Sequence, residues 1–123
     1  KTIYETMGAM CESWGEKTEN HYGYSRVGAV VGATYPQQLE EMRQKMPHTF
    51  FLVPGYGAQG GGAKDVAGAF DKNGLGAVVN SSRAILTAWK KAGTDGKDFA
   101  QQARAAAITM REDIMGVVGK ISL

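Results

Sequence analysis

The sequence is short of the residues that build several common kinds of site. Cys11 is the single cysteine, which excludes an intrachain disulfide and a thiolate metal cage and agrees with a reducing, cytoplasmic setting. No apolar run approaches the roughly 20 residues that cross a bilayer. The opening Lys1-Thr2-Ile3-Tyr4 has neither the apolar stretch nor the cleavage site of a signal peptide. Net charge is only +2, too small and too dispersed for a nucleic-acid or membrane partner, which needs a clustered basic face. His21 and His48 fall in no metal-ligand spacing, so both are expected to be solvated loop residues and no metal site is expected.

What is present is an alternation of helix and strand. Ile3, Met7, Met10, Cys11 and Trp14 recur at helical spacing, with Gly15 as a stop. The apolar run from Val27 to Ala33 reads as a strand buried on both faces. Thr34 and Pro36 open a helix, Thr34 as its cap, with Leu39, Met42 and Met46 as the inner stripe. Glu40, Glu41, Arg43 and Lys45 read as its wet face. Phe50 to Val53 is a second strand, closed by Pro54 and a glycine-rich loop, and a short helix covers about Ala63 to Phe70. Gly76 to Asn80 is a third strand, running directly into Ser81-Ser82-Arg83 and a helix with Ala84, Ile85, Ala88 and Trp89 on one side. A last long helix carries Phe99, Ala103, Ala106, Ala107, Met110, Ile114 and Val117, with Asp98 placed to favour its dipole.

Strands alternating with helices call for a parallel sheet. Three strands alone leave exposed edges, and a complete (β/α)8 barrel needs about 250 residues. The expectation is therefore an α/β fold amounting to about half of a TIM barrel, forming one unit over residues 1–123. The missing initiator methionine agrees with a fragment of a longer chain.

Two loops could carry chemistry. Pro54-Gly55-Tyr56-Gly57-Ala58-Gln59-Gly60-Gly61-Gly62 offers backbone N–H groups that an anion can approach closely, plus the Gln59 amide. Asn80-Ser81-Ser82-Arg83 stands where a strand turns into a helix, so the helix dipole, free N–H groups and a guanidinium are expected to converge. Either loop alone could be a tight turn or a solvated arginine. Both on adjacent strands, at one end, favour an oxyanion site. Gly55-x-Gly57-x-x-Gly60 also matches a dinucleotide fingerprint, but the next strand ends in Asn80 rather than the acidic residue a ribose needs. Cys11 reads as a core residue, Asp65, Asp71 and Asp95 as caps, and Tyr22, Tyr24 and Tyr35 as ordinary packing. No lysine stands at a strand end beside a carboxylate, so no catalytic residue is assigned.

At these residues the chain resembles a known family. Val30-Val31-Gly32-Ala33-Thr34-Tyr35-Pro36, Leu52-Val53-Pro54-Gly55-Tyr56-Gly57-Ala58-Gln59-Gly60-Gly61 and Val79-Asn80-Ser81-Ser82-Arg83-Ala84-Ile85 are similar in order and spacing to the last three barrel strands of orotidine 5′-monophosphate decarboxylases, most of all their longer bacterial branch. The resemblance implies the C-terminal half of a cofactor-free barrel enzyme of pyrimidine biosynthesis that makes uridine 5′-monophosphate (UMP) and carbon dioxide from orotidine 5′-monophosphate (OMP), commonly as a homodimer. It implies that Gln59 and Arg83 hold the substrate phosphate, with Gly60 and Ser82 as backbone support and Pro54 at the edge of the pyrimidine pocket. The family's Asp-x-Lys-x-x-Asp motif has no counterpart here: Lys64-Asp65 and Lys97-Asp98 stand elsewhere. The alternatives are another phosphate-binding α/β-barrel enzyme, such as a phosphosugar isomerase or synthase, and an inactive, self-associating half-barrel.

Overall fold

The computed structural model describes residues 1–57 and 62–122. Three parallel strands lie side by side in chain order, β1 (Gly28–Val30), β2 (Phe50–Pro54) and β3 (Ala77–Asn80). Ala29 pairs with Phe51, and Phe51 with Ala77. Between and around them run α1 (Ile3–Gly15), α2 (Pro36–Lys45), α3 (Ala63–Val66) with a 3-10 turn (Ala67–Ala69), α4 (Arg83–Leu86), α5 (Ala88–Ala92) and α6 (Phe99–Val118). The expected α/β half-barrel architecture is what forms.

Local chemistry explains most boundaries. α1 starts at a capping box in which the Thr2 hydroxyl accepts from the Glu5 amide and the Glu5 carboxylate accepts from the Thr2 amide. The expected Thr34 cap does not form: Tyr35 is the residue before α2 and no side chain caps it, because Pro36 at the first position already fixes the turn. The single helix expected after β3 is two short ones. Thr87 interrupts it, its hydroxyl donating to the Arg83 carbonyl at 2.7 Å, a back-bond that competes with regular helix. Asp65, Asp71 and Asp95 do cap, accepting from the amides of Gly62, of Asn73 and Leu75, and of Lys97.

One face of the sheet is covered. Phe51 and Val53 are fully buried against Leu39, Met42, Met46, Val66 and Ala69, with Cys11 packed at the margin as a core residue. The expectation of a first strand buried on both faces is not met. Val30, Leu52 and Val78 alternate onto the other face and are 69, 40 and 50% exposed. The apolar side of α1 is likewise open at Ile3, Met7, Met10 and Trp14.

Arg43 departs most from its expected place. Instead of facing water it is 7% exposed, and its guanidinium donates to the carbonyls of Ala69, Gly76, Met46 and Thr49. It also lies over the Phe51 ring at 4.0 Å. Four carbonyls from the residue that ends α2, the turn after it, the 3-10 segment and the approach to β3 are thus tied to one cation. Tyr24 closes the same corner, its hydroxyl donating to Asp71 at 2.7 Å, and Glu12 joins α1 to the start of β2 through the Thr49 hydroxyl and the His48 amide. His48 is exposed as expected, with its ring also on Glu12.

Candidate functional site

The strands' C-terminal ends are built differently. Pro54 is the last residue of β2, half-buried, and pairs with Asn80 at the end of β3. Gly55 and Gly57 follow with φ of 106° and 76°, the left-handed region that a side chain disfavours. Gln59 and Gly60 lie outside the described residues. At the far end of this loop the Asp65 carboxylate accepts from the Gly62 amide at 2.7 Å and opens α3.

The loop after β3 is joined to the loop after β2. The Ser81 hydroxyl donates to the Tyr56 carbonyl at 3.0 Å. A Cβ on Gly57 would touch that of Ala84 at 3.6 Å, so the two loops are in close approach. Ser82 stands immediately before α4, and Arg83 is its first residue. Both are exposed. The first turn of a helix has no internal acceptor for its N–H groups, so the start of α4 brings open donors next to an exposed guanidinium. The expected contribution of a helix dipole is corrected by the length of α4. A four-residue helix sums few peptide dipoles, which leaves the cation and the N–H groups as the source of positive potential.

Sequence reasoning missed Tyr56. Its ring packs against the core, and its hydroxyl donates to the Asp113 carboxylate on α6 at 2.5 Å. Burial first, and the Asp113 carboxylate second, push the phenol up to about 12. The two partners are 57 residues apart, beyond any local pattern. Its position between two glycines in a strand-end loop was the one available signal.

Among the described residues no cluster of three His, Cys, Asp or Glu could hold a metal ion, and no helix is long and apolar enough to cross a membrane. A hollow of about 610 Å3 lies between α1, β1 and α2, lined by residues such as Met7, Cys11, Val30 and Tyr35. Among the described residues, the strand ends offer a cation, hydroxyls and amides, and no nucleophile–base pair.

No family model matches the chain. An orotidine 5′-phosphate decarboxylase of Rhodopirellula baltica is 48% identical over 120 residues, covering 94% of this chain and 40% of that relative. One of Clostridium perfringens is 48% identical over 98% of this chain and 41% of its own length. Among solved structures, the OMP decarboxylase of Leishmania donovani superposes with a TM-score of 0.68 at 27% identity, covering 96% of this chain and 38% of that one. The UMP synthase of the same organism gives 0.66 at 30% identity over 94% of this chain and 22% of that one. Over nearly its whole length, then, the chain is a homologue of the orotidine 5′-phosphate decarboxylases, and it spans about two fifths of the curated relatives it matches.

Proposed function

We propose that the chain is the C-terminal portion of an orotidine 5′-monophosphate decarboxylase, and that it supplies the grip on the substrate's phosphate. The observation that carries this is the junction of the two strand-end loops through Ser81 and Tyr56, which sets Ser82 and Arg83 exposed at one end of the sheet. In this reading Gln59 and Arg83 bind the phosphate oxygens, Gly60 and Ser82 support them, and Pro54 borders the pyrimidine. The reading calls for no metal or coenzyme.

The reaction breaks the bond between the pyrimidine ring and its carboxylate, leaving the electron pair on the ring carbon and releasing carbon dioxide. A lysine ammonium beside that carbon stabilises the charge and then delivers the proton. This chain has no counterpart of the Asp-x-Lys-x-x-Asp motif, so those groups belong to the preceding strands, and the chain alone is inactive. Its own part is remote binding energy, which holds the reacting end in place without touching it. The intact enzyme, in this reading, is a cytoplasmic homodimer.

The test is a calorimetric titration with UMP, the product that keeps the phosphate. The chain should bind it, and Arg83→Ala should weaken binding by roughly tenfold or more, since a charge-assisted hydrogen bond contributes about 1.5–3 kcal/mol. Equal affinity in the two chains, or binding by neither, overturns a preformed phosphate grip. Replacing the matching stretch of the Clostridium perfringens relative with this chain gives the activity readout, expected as decarboxylation of OMP.

A further inference from the structure

We propose that Tyr56 and Asp113 are positioning residues for the phosphate grip, together fixing the root of the loop after β2 against α6 and, through Ser81, the start of α4. The inference rests on the reading above, because it assigns a purpose to residues next to the grip rather than to the grip itself.

Three observations converge. First, Tyr56 is flanked by two glycines with positive φ, so neither of its immediate neighbours has a side chain to anchor the loop root. Second, its hydroxyl and its carbonyl face different elements. The hydroxyl donates to the Asp113 carboxylate at 2.5 Å, and the carbonyl accepts from Ser81 at 3.0 Å. One residue thus links the β2 loop, the β3 loop and α6. Third, the anchor is firm. α6 is 20 residues long and packs against α3, α4 and α5, so it does not depend on Tyr56 for its own place. With the phenol held protonated to about pH 12, the hydroxyl remains a donor at every working pH, and its bond to an ionised acceptor is of the strong, charge-assisted kind.

A positioning role differs from a structural one in what its loss does. Asp113 is exposed on the outer part of α6, so removing its carboxylate should scarcely change stability. It would, however, release the Tyr56 hydroxyl and let the loop root shift, and a shift of about an ångström at a binding group is enough to lose affinity.

The experiment titrates UMP into the chain and into Tyr56→Phe, Asp113→Ala, Asp113→Asn and the Tyr56→Phe/Asp113→Ala pair, with Arg83→Ala alongside and a melting curve for each. Tyr56→Phe and Asp113→Ala should each lower affinity about tenfold, the scale of one charge-assisted hydrogen bond. The pair should be no worse than either single change, and Asp113→Asn, which keeps an acceptor oxygen without its charge, should fall between the unchanged chain and Asp113→Ala. Melting temperatures should stay together. If Arg83→Ala loses UMP while Tyr56→Phe and Asp113→Ala keep it, the positioning role is overturned and the phosphate grip stands. Losses that follow melting temperature, or an Asn variant as weak as the Ala one, also overturn it. If Arg83→Ala binds as well as the unchanged chain, or nothing binds, the grip and the inference fall together.

Discussion

Both ends of the same three strands carry an arginine, and the two are used in opposite ways. At the N-terminal end Arg43 is enclosed by four carbonyls and two aromatic rings, Tyr24 is spent on Asp71, and Glu12 on Thr49 and His48. At the C-terminal end Arg83, Ser82 and Asn80 are exposed on loops that turn through glycine. Polar groups that are saturated by their own backbone hold a fold together. Those left open at strand ends are available to a ligand, which is how α/β barrels divide stability from chemistry. No buried side-chain polar atom among the described residues lacks a partner, so the division is clean at the first end.

The largest effect should come from exchanging the treatment of the two arginines. Arg43→Met keeps the apolar stem but leaves buried carbonyls without donors, each costing about 1–3 kcal/mol. A loss of about 3 kcal/mol or more is expected, read as the urea midpoint, and it should unfold a chain of marginal stability. Arg43→Lys should not rescue it, because an ammonium cannot span the fork of carbonyls that a guanidinium reaches. Arg83→Ala should leave the midpoint within about 0.5 kcal/mol and act only on UMP binding. An Arg83→Ala chain that unfolds as readily as Arg43→Met would break the comparison.

A glycine pair sharpens it on a smaller scale. Gly76 precedes β3, and a Cβ there would stand 2.3 Å from the Tyr24 hydroxyl and 3.0 Å from Arg43 Nη1. Gly55 follows β2, and a Cβ there meets nothing among the described residues within 4 Å. Their φ values, 99° and 106°, impose a similar strain on alanine, about 1–2 kcal/mol. The difference between Gly76→Ala and Gly55→Ala in denaturant midpoint therefore isolates close approach, and it should favour Gly55→Ala by about 1–3 kcal/mol. Equal midpoints would mean that the N-terminal corner can open to admit a methyl group.

The sequence made the two ends unequally legible, for physical reasons. β2, β3 and their loops announce themselves, because short apolar runs stop at Pro54 and at Asn80-Ser81, and local turn chemistry suffices to read them. Arg43 was misread because a charged residue counts as solvent-facing in any hydropathy pattern. Yet positions 39, 42, 43 and 46 have the i, i+3, i+4, i+7 spacing of a buried stripe, so position rather than polarity held the signal. The first strand, whose Val30 lies on the open face, was read as buried on both sides because a continuous apolar run marks burial without saying what provides the cover. At the strand ends, the place of Ser82 and Arg83 at the start of a helix followed from the motif. Tyr56–Asp113 joins residues too distant for any spacing rule, and the dipole expectation failed on Thr87, whose back-bonding hydroxyl ends the helix within one turn.

The smallest predicted effect is the pH dependence of stability, and it too separates the ends. Burial disfavours ionised Glu12, but the Thr49 hydroxyl and the His48 amide and ring outweigh it and hold the carboxyl below its ordinary 4.5. Asp71 is held below 3.8 in the same manner, by the Tyr24 hydroxyl and the Leu75 and Asn73 amides against burial. A folded-state pKa below the unfolded one stabilises fully above the unfolded value and loses that stabilisation as pH falls through the folded one. Acid destabilisation should thus begin near pH 4.5 and steepen below it, and Glu12→Gln should flatten this limb, read as the urea midpoint against pH. Glu5 and Asp98 are also shifted down, but at the surface, where such pairs contribute little. The alkaline limb has the opposite sign. Tyr24, raised by burial and then by Asp71 from 10.0 to about 12, contributes below pH 10 and loses that contribution between 10 and 12. Tyr24→Phe should therefore flatten the alkaline limb in part, and only N-terminal substitutions should alter the acid one. An acid limb that responds to Tyr56→Phe as strongly as to Glu12→Gln would show the two ends to be energetically coupled rather than separate.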